Sequence, residues 1–191
     1  KDIADKITTH LIELTDSFSV DKVIQDVKPD EIYHLAAQSY VKASWDSPVE
    51  TYATNVIGTV NLFEACRKLE KQPSILVTST SEIYGSKDGS INEETRPEPN
   101  THYGISKYSQ DMIARLYHRA YGMKVMVSRS FNITGYGRGD VFVDSNFAKQ
   151  VVEIEKGVRE SIKHGNLESA RDFTDIGDII KGYVSILRSE R

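Results

Sequence analysis

Tyr103 and Lys107 stand four positions apart in the segment Tyr103-Gly-Ile-Ser-Lys107, a spacing that puts both on one face of a helix. A lysine ammonium beside a phenol favours the phenolate, lowering a pKa that is about 10 in the free side chain. A tyrosine so placed can take or give a proton near neutrality. The spacing alone is weak, because in a chain with ten tyrosines a surface Tyr beside a solvated Lys is the commoner arrangement. The segment Thr78-Ser-Thr-Ser-Glu82 adds to it. There, hydroxyls and a carboxylate follow directly on an apolar run of strand length. A hydroxyl at such a strand end can bond a substrate oxygen, and the carboxylate can remove a carbon-bound proton. Ordinary turns and caps also use these residue types.

The elements that must hold these groups alternate. Residues 7–14 read as a strand rich in β-branched side chains, and residues 20–27 as a short amphipathic helix. Residues 31–37 read as a strand ending in Ala36-Ala37, and residues 48–70 as a long helix. Ser74 to Ser79 has the nearly continuous apolar pattern of a strand buried on both faces. Residues 85–100 read as a surface loop. The helix of residues 101–121 carries Ile105, Tyr108, Met112, Ile113, Leu116 and Tyr117 on its expected inner stripe. A strand over 124–129, a Gly-rich loop over 135–139 and helices over 142–156 and 175–187 complete the chain. This order predicts an α/β fold with a parallel sheet covered on both faces. Ligands in such sheets sit beyond the carboxyl ends of the strands, here Ala36-Ala37, Thr78–Ser81 and Ser130–Asn132.

Composition bounds the rest. A chain of 191 residues with formal net charge −4 suits one globular domain and gives no reason to expect a nucleic-acid or membrane partner. A single cysteine, Cys66, excludes an internal disulfide and reads as a small packing residue within a helix. The five histidines never fall at ligand spacing, so no metal is expected; His34 and His102 read as hydrogen-bonded structural residues. No apolar run approaches the ~20 residues of a membrane span, and no signal peptide opens the chain, which predicts a cytoplasmic protein. The sequon at Asn132-Ile-Thr134 is expected to be unmodified.

Several segments together resemble the extended short-chain dehydrogenase/reductase family that modifies nucleotide sugars. They are His34-Leu-Ala-Ala-Gln38, Asn55-Val-Ile-Gly-Thr59, Ser79-Thr-Ser-Glu-Ile-Tyr-Gly85, Tyr103-Gly-Ile-Ser-Lys107, Arg129-Ser-Phe-Asn132 and Arg171-Asp-Phe-Thr-Asp175. They occur in family order over residues 10–188. Within the family the chain is most like the GDP-mannose 4,6-dehydratases, with the GDP-4-keto-6-deoxymannose reductases a close second. Both groups share the Ala-Ala-Gln-Ser opening at Ala36, the Phe142-Val…Phe147-Ala-Lys-Gln150 helix start and the Gly165-Asn-Leu segment.

The resemblance implies a Rossmann-like sheet with helices on both faces. Residues 1–135 would be a partial NAD(P)-binding domain carrying the catalytic residues, and residues 136–191 the start of the sugar-nucleotide portion. It makes Tyr103 the acid/base, Lys107 its pKa tuner and ribose contact, Thr80 the hydroxyl on the reacting C4 oxygen, and Glu82 the base for the C5 proton. Ala36, Ala37, Asn55 and Phe131 would line the cofactor site together with Tyr103 and Lys107, the cofactor being NADP, with NAD the alternative. Gln38, Ser81, Asn132 and Arg171 would hold the substrate, a GDP-linked hexose; a guanidinium suits a pyrophosphate because it binds through two parallel donors. The resemblance also implies a homodimer formed through the helices at 48–70 and 101–121.

The chain departs from the family pattern in three places. No Gly-x-x-Gly-x-x-Gly phosphate loop is present, so the N-terminal segment that carries it, and C-terminal substrate elements, are expected to be missing. Glu13 stands where the family has an adenine-contacting Asp. Phe173-Thr174 replaces the Trp-Gly of dehydratases and leans towards the reductases, which need Thr80, Tyr103 and Lys107 but no Glu82. The expected reaction is the 4,6-dehydration of GDP-mannose with internally recycled NADP. The alternatives are the NADPH-dependent reductase, a 4-epimerase, and a nucleotide-binding fragment without activity.

Overall fold

A computed structural model describes residues 3–189. The chain divides into two compact units, one built from residues up to Ser130 with the last residues from Ile186 onward, the other from Phe131–Ser185.

The first unit is organised on three parallel strands, β1 (Glu31–His34), β2 (Ser74–Thr80) and β3 (Val125–Ser130), in the order β1-β2-β3. His34 pairs with Val77, and Thr80 with Ser130. Parallel neighbours require long crossovers, which here are helical. The helices are α1 (Ser17–Val27), α2 (Val41–Asp46), α3 (Pro48–Tyr52), α4 (Gly58–Arg67) and α5 (His102–Tyr121). Ile75, Leu76 and Val77 of the central strand are fully buried, as the uninterrupted apolar run predicts. Val20 and Ile24 of α1, Leu62, Phe63 and Cys66 of α4, and Ala114 and Tyr117 of α5 form one core with Ile75, Val77 and Met123.

Local chemistry sets the helix ends. Asp16 caps α1 by accepting the Phe18 N–H at 2.9 Å. Thr101 does the same for α5 with the Gly104 N–H at 2.9 Å, and Gly122 ends that helix in the left-handed conformation at φ 69°. The helix expected over 48–70 is interrupted by a π-helical turn at Ala53–Ile57, a one-residue insertion of the kind that concentrates at functional sites.

Three expectations fail here, wholly or in part. The strand expected over residues 7–14 does not form; Leu11 is 99% exposed. No strand among the described residues pairs with this segment, and β propensity without a ladder leaves the backbone to water. The expected inner stripe of α5 holds only in part: Tyr117 is in the core and Ile113 packs against it, while Tyr108 is half-buried. Ile105, Met112 and Leu116 are exposed, and the buried residues are Gly104, Ser106, Lys107, Gln110, Asp111, Ala114 and Tyr117. Polar groups from Ser106, Lys107, Gln110 and Asp111 face inward with Ala114 and Tyr117. The strand expected over 31–37 is also shorter, ending at His34.

The second unit contains a short parallel pair, β4 (Asn132–Thr134) and β5 (Phe173–Asp175), which the sequence does not announce. Helix α6 (Val143–Glu155) follows β4 and helix α7 (Ile176–Leu187) follows β5.

Candidate active site

Strand β2 delivers its last residue, Thr80, into a single 3₁₀ turn at Ser81–Tyr84. Thr80 Oγ1 accepts the Glu82 N–H at 3.3 Å. Because that oxygen is used as an acceptor, its own O–H can still donate to a ligand. The turn closes with the Gly85 N–H on the Glu82 carbonyl at 3.3 Å, and the Glu98 N–H bonds the Ile83 carbonyl at 2.9 Å. Gly85 is at φ 66°, and a β-carbon there would lie 2.2 Å from the Glu98 carbonyl oxygen. Only glycine fits such a position. Ser81 and Glu82 are half-buried.

Helix α5 brings up the other half. Gly104, next to Tyr103, lies against the same turn, and a β-carbon on it would fall 2.8 Å from the Glu82 carbonyl oxygen. The Thr80–Glu82 strand end and the start of the Tyr103–Lys107 helix are therefore in contact. The Tyr103 N–H donates to Ser44 Oγ of α2 at 3.2 Å, and its carbonyl accepts from Ser106 Oγ at 2.7 Å. Lys107, one turn on, is only 3% exposed. Burial pushes its ammonium down from the usual 10.5 to about 8. No carboxylate among the described residues pairs with it.

Beneath Lys107 lies a buried polar layer. His34 Nε2 is 2.9 Å from Thr59 Oγ1, the Thr59 hydroxyl donates to the Asn55 carbonyl at 2.7 Å, and Gln110 Nε2 also donates to Thr59 Oγ1. Burial, and secondarily the Lys107 charge, push the His34 imidazole down to about 4, so it is neutral at pH 7. The structural role expected of His34 is the one its contacts describe. His102 bonds the Tyr52 hydroxyl through Nδ1 at 3.1 Å.

Asn55 lies in the π-helical turn and is fully buried. Its Oδ1 accepts the Gln38 N–H at 2.8 Å; its Nδ2 donates to the Gln38 carbonyl at 3.0 Å and to Ser106 Oγ at 2.9 Å. With both donors used within the protein, it clamps the loop after β1 to α5. That loop carries Ala36, exposed, and Ala37, half-buried, beyond the carboxyl end of β1. The Gln38 side chain is engaged locally, donating to Thr51 Oγ1 at 3.2 Å and accepting the Tyr40 N–H at 2.7 Å. Glu13 is likewise engaged locally: its carboxylate accepts the Thr15 N–H and hydroxyl, which lower its pKa.

Sequence reasoning missed a second group on the Lys107 face. Asp111, fully buried, receives Arg129 of β3 through Nε at 2.8 Å and through a second nitrogen at 2.7 Å, and Arg115 at 2.7 Å. Arg129 also donates to the Tyr84 hydroxyl at 2.9 Å and to the Glu93 carbonyl at 3.0 Å. The available signal was an acid one turn beyond Lys107; its partner lies 18 residues away in a strand.

The remaining candidates belong to the second unit. Phe131 is half-buried, and the Asn132 N–H donates to the Asp172 carbonyl at 3.1 Å as β4 pairs with β5. Arg171 is exposed and donates to the Ala170 carbonyl at 2.7 Å. In the same unit Arg138 stacks over Phe142 at 4.2 Å and ion-pairs with Asp144 at 3.2 Å. Among the described residues no cluster of three or more His, Cys, Asp or Glu could hold a metal, and no helix is long and apolar enough to cross a membrane.

A parallel α/β sheet that ends one strand in Thr80-Ser-Glu82 and sets it against a Tyr103–Lys107 helix defines a short-chain dehydrogenase/reductase. The solved structures it resembles are of that kind. RMD from Pseudomonas aeruginosa, complexed with NADPH, matches at TM-score 0.89 and 29% identity over 95% of this chain and 63% of that one. The dTDP-glucose 4,6-dehydratase DesIV from Streptomyces venezuelae, with NAD bound, matches at TM-score 0.82 and 28% identity over 94% and 54%. The profile of the GDP-mannose 4,6 dehydratase family matches residues 1–191, and the chain belongs to that family. Relatives include a GDP-mannose 4,6-dehydratase from Vibrio cholerae, 33% identical over 95% of this chain and 50% of its own length. A GDP-6-deoxy-D-mannose reductase from Pseudomonas aeruginosa is 31% identical over 83% and 54%. The chain thus spans about half the length of these relatives.

Proposed function

We propose that the protein is a nucleotide-sugar 4,6-dehydratase that converts GDP-mannose to its 4-keto-6-deoxy derivative. The observation that carries this reading is that the turn bearing Glu82, two residues after Thr80, is seated through its main chain against Gly104, the neighbour of Tyr103. A reductase or epimerase needs the hydroxyl and the tyrosine but has no required work for a carboxylate there.

Lys107 is a buried cation without a carboxylate partner among the described residues, which fits the ribose hydroxyls of a nicotinamide cofactor, here NADP. That cofactor, when bound, supplies hydride acceptance from C4 and its return to C6. Thr80 donates its hydroxyl to the C4 oxygen, and Tyr103, with its charge supported by Lys107, takes the C4 hydroxyl proton. The resulting ketone acidifies C5, and Glu82 removes that proton as the C6–oxygen bond breaks. The two protons held by Tyr103 and Glu82 are the two the product needs: one leaves with the C6 hydroxyl as water and the other returns to C5. Asn132 and Arg171 bind the sugar nucleotide, Arg171 through its exposed guanidinium.

The exposed apolar residues Ile105, Met112 and Leu116 of α5, with Val49 and Ile57, support a homodimer formed through these helices. The reading is tested by incubating the natural full-length protein with GDP-mannose and catalytic NADP. A 4-keto product without net cofactor reduction supports it. Consumption of stoichiometric NADPH, seen only with the keto sugar, establishes the reductase instead, a reading favoured by Phe173-Thr174.

A further inference from the structure

We infer that Tyr84, Arg129 and Asp111 form a positioning device that fixes the turn carrying Glu82 and so serves the C5 proton abstraction specifically. The inference rests on the dehydratase reading above and goes beyond it by naming residues that the reading does not use.

The turn Ser81–Tyr84 is held at both ends. At the front, Thr80 Oγ1 takes the Glu82 N–H. At the back, the Tyr84 ring is 2% exposed and its hydroxyl accepts from Arg129 at 2.9 Å. Arg129 is itself fixed by two contacts with the fully buried Asp111 at 2.8 and 2.7 Å, and it reaches the Glu93 carbonyl of the following loop at 3.0 Å. Both Arg129 donors converge on Asp111 Oδ2, while Arg115 takes Oδ1, so the carboxylate is held from two sides. Asp111 lies two helical turns from Tyr103 on the same face of α5. The helix that carries the acid/base therefore also anchors, through Arg129 and Tyr84, the turn that carries the second base. Thr80 is held in addition by the main-chain β2–β3 ladder, opposite Ser130, a support that the Ser81–Tyr84 turn lacks. Loosening the anchor displaces Glu82 while leaving Thr80, Tyr103 and Lys107 in place, and small displacements of a catalytic base are costly.

The experiment separates the two halves of the reaction in the natural full-length protein with GDP-mannose. Oxidation at C4 is followed as single-turnover reduction of NADP, and abstraction at C5 as deuterium entering C5 from heavy water. Tyr84→Phe removes one hydrogen bond and keeps the Arg129–Asp111 pair; Asp111→Asn weakens the pair itself. Melting temperature monitors folding of both. The expected result for Tyr84→Phe is C5 exchange slowed about tenfold with C4 oxidation within twofold of wild type. Asp111→Asn should slow exchange further where it folds. Equal slowing of both halves, or unchanged exchange, in folded Tyr84→Phe would overturn the positioning role. Absence of C5 exchange in the wild-type protein would overturn the dehydratase reading itself, and this inference with it.

Discussion

The Glu82 carbonyl oxygen lies where a side chain on residue 104 would have to go, 2.8 Å from the β-carbon that Gly104 lacks. Thr101 Oγ1 and Pro99 Cβ close the same space at 3.1 and 3.2 Å. The missing side chain is what lets the turn and the helix meet.

Gly104→Ala is therefore expected to destabilise the protein by about 1–3 kcal/mol through overpacking, despite alanine's better helix propensity. It should also reduce kcat more than it raises KM, since it moves Glu82 relative to Tyr103. Urea unfolding and steady-state kinetics check the two effects; a stabilised, fully active variant would show that the contact is slack.

Lys107 carries an opposite balance of stability and activity. Its pKa falls from 10.5 unfolded to about 8 folded, so the unfolded chain holds more protons between those values and stability rises with pH across that window. The cost of burying the cation, about 3 kcal/mol, applies in full below pH 8. Lys107→Met should abolish activity yet raise stability at pH 7, with the gain fading as pH approaches 10.5. Melting curves at pH 7 and near pH 10 test this; equal stability changes at both would contradict it.

His34 gives the acid limb. Its folded pKa of about 4 lies below the ordinary 6.5, so its contribution is complete above pH 6.5 and is lost as pH falls towards 4. The loss is about 3 kcal/mol. His34→Gln should flatten the fall in stability from pH 6.5 to 5 seen by denaturant titration. Because Lys107 helps depress this imidazole, Lys107→Met should also raise the His34 pKa, measurable from its NMR titration.

Asn55→Ala removes three hydrogen bonds at a fully buried site and leaves the Gln38 N–H without its acceptor. A loss of roughly 2–4 kcal/mol is expected, with faster amide exchange at Gln38 and no comparable change in β2. Uniform exchange acceleration across the sheet would argue against a local clamp.

Much of the site could be read from local pattern because its pieces are local. Tyr103 and Lys107 are one helical turn apart, and Thr80 and Glu82 follow a strand whose apolar run identifies it. What escaped the sequence depended on distant partners. Residues 7–14 have strand propensity, but propensity cannot supply a neighbouring ladder. Ile105, Met112 and Leu116 of α5 point outward, while Gln110 and Asp111 find partners from α4 and β3 inside. Strands β4 and β5 are three residues each, too short for alternation to show. The π-helical turn adds one residue to a helix and leaves no compositional trace, and Asp111 gains its meaning from Arg129 in another element.

The role of Glu82 as the base for C5 separates the dehydratase from the reductase. The most direct measurement is the rate of 4-keto product formation from GDP-mannose by Glu82→Gln in the full-length protein, with reduction of the keto sugar by NADPH as the internal control. Loss of dehydration by about a hundredfold or more with reduction nearly intact is the predicted result; dehydration at the wild-type rate would contradict it.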